Sequence, residues 1–364
     1  MRNKKIMIIG VPAAGKTTLM KLFDGHKNLR TVHTHEQILR FFYSLEQDKI
    51  KGIQKKFDAV HYNYLPKKKI IKLKISENFI IDYSVAMHRR ILRDYCKHYV
   101  LEIWAELGIL PSEASSTDYE TEEFNFNFYD FDKEFLKNIF RNGPQIDAET
   151  YLDIYYDTYF KIWKDYNYDI NNNYTVFFGP NDSRAIDYVL LNRFNIKIIY
   201  YSRDIISRLL SNSFRISRYN KNINVEQNFE KLVLQDIAQD KSKNKIRYFE
   251  NNLKKIEEKY SFNVIRTDFE NITHNTELEM KKICIALEID FDKILLTPSL
   301  ASKKVSNKYL YKSNDLEIAK NFKIFKFINF YQDPNLKYLN NLNNISIYLK
   351  FVFFKLYYFL RKIY

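Results

Sequence analysis

The sequence predicts an α/β fold built on a doubly wound, mostly parallel sheet, and three observations predict it. Short apolar runs of strand type are separated by long stretches of helical periodicity, which requires crossover connections and hence parallel strands. Gly and Pro occur only 7 times each in 364 residues, which favours long helices over tight hairpins. The first apolar run also passes directly into a glycine turn and then a helical pattern, as phosphate-binding α/β domains do.

The first run, Ile6-Met7-Ile8-Ile9, is continuous, as expected of a central strand buried on both faces, and stops at Gly10. From Thr17 the spacing becomes helical, with Leu19, Met20, Leu22 and Phe23 on one face and Gly25 closing the helix. Three more strands are expected. Phe79-Ile80-Ile81 ends in Asp82. Ile196-Lys197-Ile198-Ile199-Tyr200-Tyr201 ends in Ser202-Arg203-Asp204. Phe262-Asn263-Val264-Ile265 ends in Arg266-Thr267-Asp268. In such sheets ligands gather beyond the carboxyl ends of the strands, where these polar residues stand.

Residues 84–173 read as a helical insertion. Its stretch 112–132 is acidic and aromatic (Glu113, Asp118, Glu120, Glu122, Glu123, Asp130), too charged to join the sheet, and reads as a surface insertion or lid. Residues 1–310 are then one elaborated domain and 311–364 a basic, aromatic helical tail. Residues 347–364 are about as long as a spanning helix but are punctuated by Lys350, Lys355, Arg361 and Lys362. Two readings of the tail stand: packing on the domain through its aromatics, or contact with an anionic membrane surface.

The formal net charge of +14 favours anionic partners, although an AT-rich genome would inflate the lysine count. Nucleic acid is disfavoured, because no recognition helix, zinc finger or ribonucleoprotein-type motif is found. Cys96 and Cys284 fit no metal or redox spacing, which points to a reducing compartment. Met1-Arg2-Asn3-Lys4-Lys5 followed by a short apolar strand has no signal-peptide pattern, so the expected location is cytoplasmic, with membrane association resting on the tail.

The most specific motif is Gly10-Val11-Pro12-Ala13-Ala14-Gly15-Lys16-Thr17, glycines five apart followed by Lys and Thr. Glycines let backbone amides turn toward an anion, the helix amino end adds a favourable dipole, and Lys16 brings a point charge. Thr17 and Thr18 offer hydroxyls. A kinase using ATP and magnesium would also need a metal-holding carboxylate, for which Asp82 is the candidate. A nucleotide- or polyanion-binding module without turnover is the third possibility.

The segment Ile198-Ile199-Tyr200-Tyr201-Ser202-Arg203-Asp204, with Ser211 eight residues after Arg203, resembles the 3′-phosphate-binding motif of the sulfotransferase family. Val264 through Ile272 is similar to that family's late strand and acidic turn, and Lys303-Lys304-Val305-Ser306-Asn307 resembles a loop that closes over its nucleotide. The order agrees over residues 5–308. The resemblance implies sulfuryl transfer from 3′-phosphoadenosine-5′-phosphosulfate (PAPS) to a hydroxyl or amine, with no metal. It further implies that Gly10, Pro12, Ala13, Ala14, Gly15, Lys16, Thr17 and Thr18 hold the 5′-phosphosulfate, Lys16 stabilising charge on the leaving phosphate. Arg203 and Ser211 would hold the 3′-phosphate, and Lys303, Lys304 and Ser306 would assist. The loop departs from the family pattern: Ala13 follows Pro12 where a Lys or Arg is usual, and Lys16 supplies the charge later. A general base is also needed; His33, His35 and Glu36, shortly after the first helix, are the candidates. Aromatic-rich composition suits stacking on sugar rings, so a carbohydrate is the expected acceptor.

Overall fold

The structure, a computed structural model, describes residues 4–11, 14–32, 42, 70–76, 79–84, 128–163, 174–179, 196–219, 224–239, 241–260, 264–300, 303–304, 322, 324, 347 and 349–353. From the amino end the elements are β1 (Lys5–Ile9), α1 (Lys16–Phe23), β2 (Leu29–Thr31), β3 (Ile70–Ser76), β4 (Phe79–Ser84), α2 (Phe128–Arg141), β5 (Gln145–Asp147), α3 (Ala148–Trp163) and β6 (Tyr174–Phe178). After these come β7 (Ile196–Ser202), α4 (Ile205–Tyr219), α5 (Val225–Gln239), α6 (Lys241–Tyr260), β8 (Val264–Asp268), α7 (Phe269–His274), α8 (Thr276–Leu287), a 3-10 turn, β9 (Ser299–Leu300) and β10 (Lys303–Lys304).

Five strands form a parallel sheet in the order β2-β6-β1-β7-β8. β1 lies at its centre and is buried throughout, which is why its run is apolar without alternation. Met7 and Ile9 face one side, packed with Phe177, Ile198 and Tyr200 against α2, α3 and α6; Ile6 and Ile8 face the other, packed with Val176 and Tyr201 against α1 and α8. Helices therefore cover both faces, the doubly wound arrangement expected.

The charged residue of β1 is buried as well. Lys5 Nζ lies 2.6 Å from Asp153 and 3.6 Å from Glu149 of α3. One turn further along α3, Asp157 accepts from the buried Arg30 of β2 at 2.7 Å, while Arg30 Nε donates to Thr175 Oγ1 at 2.7 Å. Glu149, Asp153 and Asp157 are four residues apart and share one helix face, so α3 docks on the amino end of the sheet through a carboxylate stripe.

One strand departs from expectation. Phe79–Ser84 does not join the parallel sheet; it pairs antiparallel with β3, which also pairs with β5, in a separate three-stranded sheet. This small sheet buries one face only: Ile71, Leu73, Ile75 and Tyr83 pack inward, while Ile80 is 48% exposed. Its inner face meets an aromatic cluster, with Tyr151 edge-on to Tyr83, Phe42 and Phe135. A strand that was not expected, β6 (Tyr174–Phe178), lies between β2 and β1 in the parallel sheet.

A third apolar cluster joins Leu210 of α4 and Phe229, Val233 and Leu234 of α5 to Ile324, Ile347 and Phe351. Lys350 Nζ donates to Glu230 at 2.6 Å, so this turn of the tail is fixed to α5 by both packing and charge. Leu349, Val352 and Phe353 stay exposed on its other side. No helix among the described residues is long and apolar enough to cross a membrane.

Candidate functional site

The loop after β1 needs both its glycines. Gly10 has φ 152°, and a Cβ there would lie 2.1 Å from the carbonyl oxygen of Tyr201 on β7. Gly15, at φ 87°, starts α1, and a Cβ on it would strike the Phe269 ring at 2.6 Å. Between them Val11 and Ala14 are buried, and the Ala14 amide donates to the Val11 carbonyl at 3.3 Å. Lys16 Nζ folds back and donates to the carbonyls of Gly10 at 3.0 Å and Val11 at 3.3 Å, which holds the ammonium over the turn. Thr17 is half-buried and Thr18 buried at the start of the helix.

Parallel pairing brings Arg203 beside this turn. Ile9 is level with Tyr200, and Ser202 with Asp268, so Arg203 leaves β7 between the loop and the start of α7. Its guanidinium carbon lies 4.1 Å from the centroid of Phe269, the ring that closes on Gly15. One aromatic ring thus touches both the phosphate-type loop and the arginine. Neighbouring caps hold this junction: the Ser207 amide donates to Asp204 Oδ1 at 2.8 Å, the Asn271 amide to Asp268 Oδ1 at 2.7 Å, and the Asp204 amide to Glu270 Oε1 at 3.3 Å. Ser211 is half-buried on α4, one turn beyond Ser207; Ile206, Leu209, Leu210 and Phe214 of the same helix pack with α5 and the tail. Tyr201, beneath the loop, has its phenol pushed well up by burial, against the opposing pull of Arg203, and stays neutral.

Other expected site residues lie elsewhere. Lys303 and Lys304 form β10, paired with β9, and Ser299 of β9 donates to Asp24 Oδ2 at 2.5 Å. Asp24 caps the end of α1 opposite the loop, about 12 Å away along the helix. These contacts therefore bring the hairpin to the far end of α1 rather than to Lys16. Pro12, Ala13, His33, His35, Glu36 and Ser306 lie outside the described residues. β2, which precedes the two histidines, is the edge strand beside β6, and the Val32 amide still donates to Val176 at 2.8 Å. Asp82 stands exposed on the small sheet, where it accepts from Lys72 at 2.5 Å. No group of three or more metal-binding side chains is found among the described residues.

Phe269 and Glu270 gained no role from the sequence. The available signal was an aromatic directly after a strand ending in an acid, Asp268-Phe269.

No protein-family model and no curated protein matches the chain. Solved structures do resemble it. The sulfotransferase domain of the Synechococcus PCC 7002 olefin synthase is 14% identical, with 97% of this chain and 96% of that chain covered and a TM-score of 0.36. Sulfotransferase STF9 from Mycobacterium avium is 10% identical, with 81% and 66% covered and a TM-score of 0.36.

Proposed function

We propose that the chain is a sulfotransferase that moves the sulfuryl group of PAPS to a hydroxyl or amine, on a carbohydrate acceptor. The observation carrying this reading is Phe269, against which the Gly15 turn and Arg203 both rest, so that two anion-gripping elements lie one ring apart. A nucleotide with phosphates on both its 5′ and 3′ sides needs two such elements, which an ordinary nucleoside triphosphate does not. Glycine is required at both ends of the turn, because a Cβ would strike the Tyr201 carbonyl at Gly10 and the Phe269 ring at Gly15.

In this reading the loop amides, Lys16, Thr17 and Thr18 neutralise charge that grows on the 5′-phosphate as the bond from sulfur to its bridging oxygen breaks. Arg203 clamps the 3′-phosphate with its N–H fork and Ser211 donates to it. The acceptor oxygen or nitrogen bonds to sulfur and gives up its proton to His33, His35 or Glu36. Cationic side chains suffice because a sulfuryl group carries less charge than a phosphoryl group. The burial of Ile347 and Phe351 supports a tail packed on the domain rather than on a membrane.

Thermal-shift titration with adenosine 3′,5′-bisphosphate beside ADP and magnesium tests the assignment. Saturating bisphosphate at one hundred times its Kd stabilises by about 2.7 kcal/mol, read as a rise of several degrees. A larger rise with ADP and magnesium sinks the sulfuryl-transfer reading in favour of a kinase.

A further inference from the structure

An arginine binds phosphate well only when its long side chain is already held in place, because freezing its torsions on binding opposes the gain. Phe269 supplies such a hold. Its ring lies 4.1 Å from the Arg203 guanidinium carbon, a stacking distance, and packs closely enough on Gly15 that no Cβ fits between them. Stacking uses the guanidinium face and phosphate recognition uses its N–H edge, so the two contacts are compatible.

The backbone under the ring is fixed as well. Asp268 caps α7 by accepting from the Asn271 amide and from Asn271 Nδ2, both at 2.7 Å. Glu270 reaches across to the Asp204 amide at 3.3 Å, tying the first turn of α7 to the residue after Arg203. The ring therefore meets the loop along its Cδ2–Cε2 side and carries the Arg203 guanidinium over its face, which fixes the two relative to each other.

Resting on the reading of Arg203 as the 3′-phosphate ligand, we propose that Phe269 is a positioning residue for donor specificity: it holds Arg203 at the distance that lets the site prefer a 3′-phosphorylated adenosine nucleotide over one without that phosphate. The residue acts through Arg203 and touches no reacting atom.

The test compares the affinities of the full chain for adenosine 3′,5′-bisphosphate and adenosine 5′-monophosphate in the wild type, Phe269→Leu and Phe269→Tyr. The wild type prefers the bisphosphate. Phe269→Leu lowers that preference about tenfold, mostly by weakening the bisphosphate, while Phe269→Tyr, which keeps the ring face, restores it. A merely structural role would weaken both ligands alike and leave their ratio unmoved, which would overturn the proposal. So would a leucine variant that keeps the full preference. If the wild type itself shows no preference, the assignment of Arg203 fails and this role falls with it; a preference that survives in Phe269→Leu sinks the Phe269 role alone. Should Phe269→Leu lose its cooperative melt, Phe269→Met takes its place with the same expected ratio.

Discussion

At the amino end of the parallel sheet Lys5 and Arg30 are buried against carboxylates of α3, whereas at the carboxyl end Lys16 lies on loop carbonyls and Arg203 on the face of a ring. The first arrangement matches each sheet cation with a carboxylate of opposite sign. Removing one partner there would strand a charge away from water, which costs far more than an exposed pair is worth. The second arrangement uses contacts that an incoming anion can exchange or share. A lysine held by carbonyls can turn to phosphate oxygens, and a stacked arginine can offer its edge. These four cations stand at opposite ends of one sheet, so what distinguishes a structural charge from one an anion can reach is the chemistry of its neighbours, not its burial alone.

Substitutions at the two ends should accordingly separate stability from ligand chemistry. The largest effect is expected from Lys5→Met, which leaves Asp153 and Glu149 without their buried cation and should cost about 3–5 kcal/mol in urea unfolding, with nucleotide affinity of the folded fraction unchanged. A loss below about 1 kcal/mol would mean that α3 does not depend on this pair. Next, Lys16→Ala should lower sulfuryl transfer by about 10²–10³-fold while moving the melting temperature by no more than about 2 °C, the reverse pattern. Ser211→Ala should weaken adenosine 3′,5′-bisphosphate about three- to tenfold by calorimetry and leave adenosine 5′-monophosphate unaffected.

The smallest effect concerns pH. His26, buried between α1 and β2, donates from Nε2 to the Asp290 carbonyl at 3.0 Å and accepts the Asn28 amide on Nδ1 at 3.2 Å. Burial lowers its pKa despite the opposing Asp290 carbonyl and nearby Asp292, so the folded chain keeps the ring neutral where the unfolded chain already binds a proton. Stability should therefore fall as pH drops below about 6.5, and His26→Gln should flatten that slope in urea midpoints measured from pH 7 to 5.5.

The parts legible in the sequence are those where a local pattern and a tertiary demand coincide. Ile6 to Ile9 had to be apolar on both faces, and Gly10 and Gly15 had to be glycines because Tyr201 and Phe269 leave no space. β7 and β8 announced themselves by ending in Arg203-Asp204 and Thr267-Asp268. The small sheet was not legible, because Phe79-Ile80-Ile81 is too short for periodicity to separate a two-sided strand from a one-sided one. β6 was missed because Tyr174-Thr175-Val176-Phe177-Phe178 begins directly where the stretch read as a helical insertion, 84–173, ends. The contact of Phe269 with Gly15 and Arg203 joins three segments far apart in the chain, and no spacing rule reports it.

The bond from Ser299 to Asp24 spans 275 residues. During synthesis, the helix that follows the glycine turn emerges early, yet the partner that anchors its far end arrives only when most of the chain has left the ribosome. Closing so distant a contact is slow, and until it closes the buried Asp24 carboxylate at the far end of α1 lacks the Ser299 hydroxyl and keeps that of Thr31. A nascent chain stopped short of residue 299 would carry the complete glycine motif on an incompletely anchored helix.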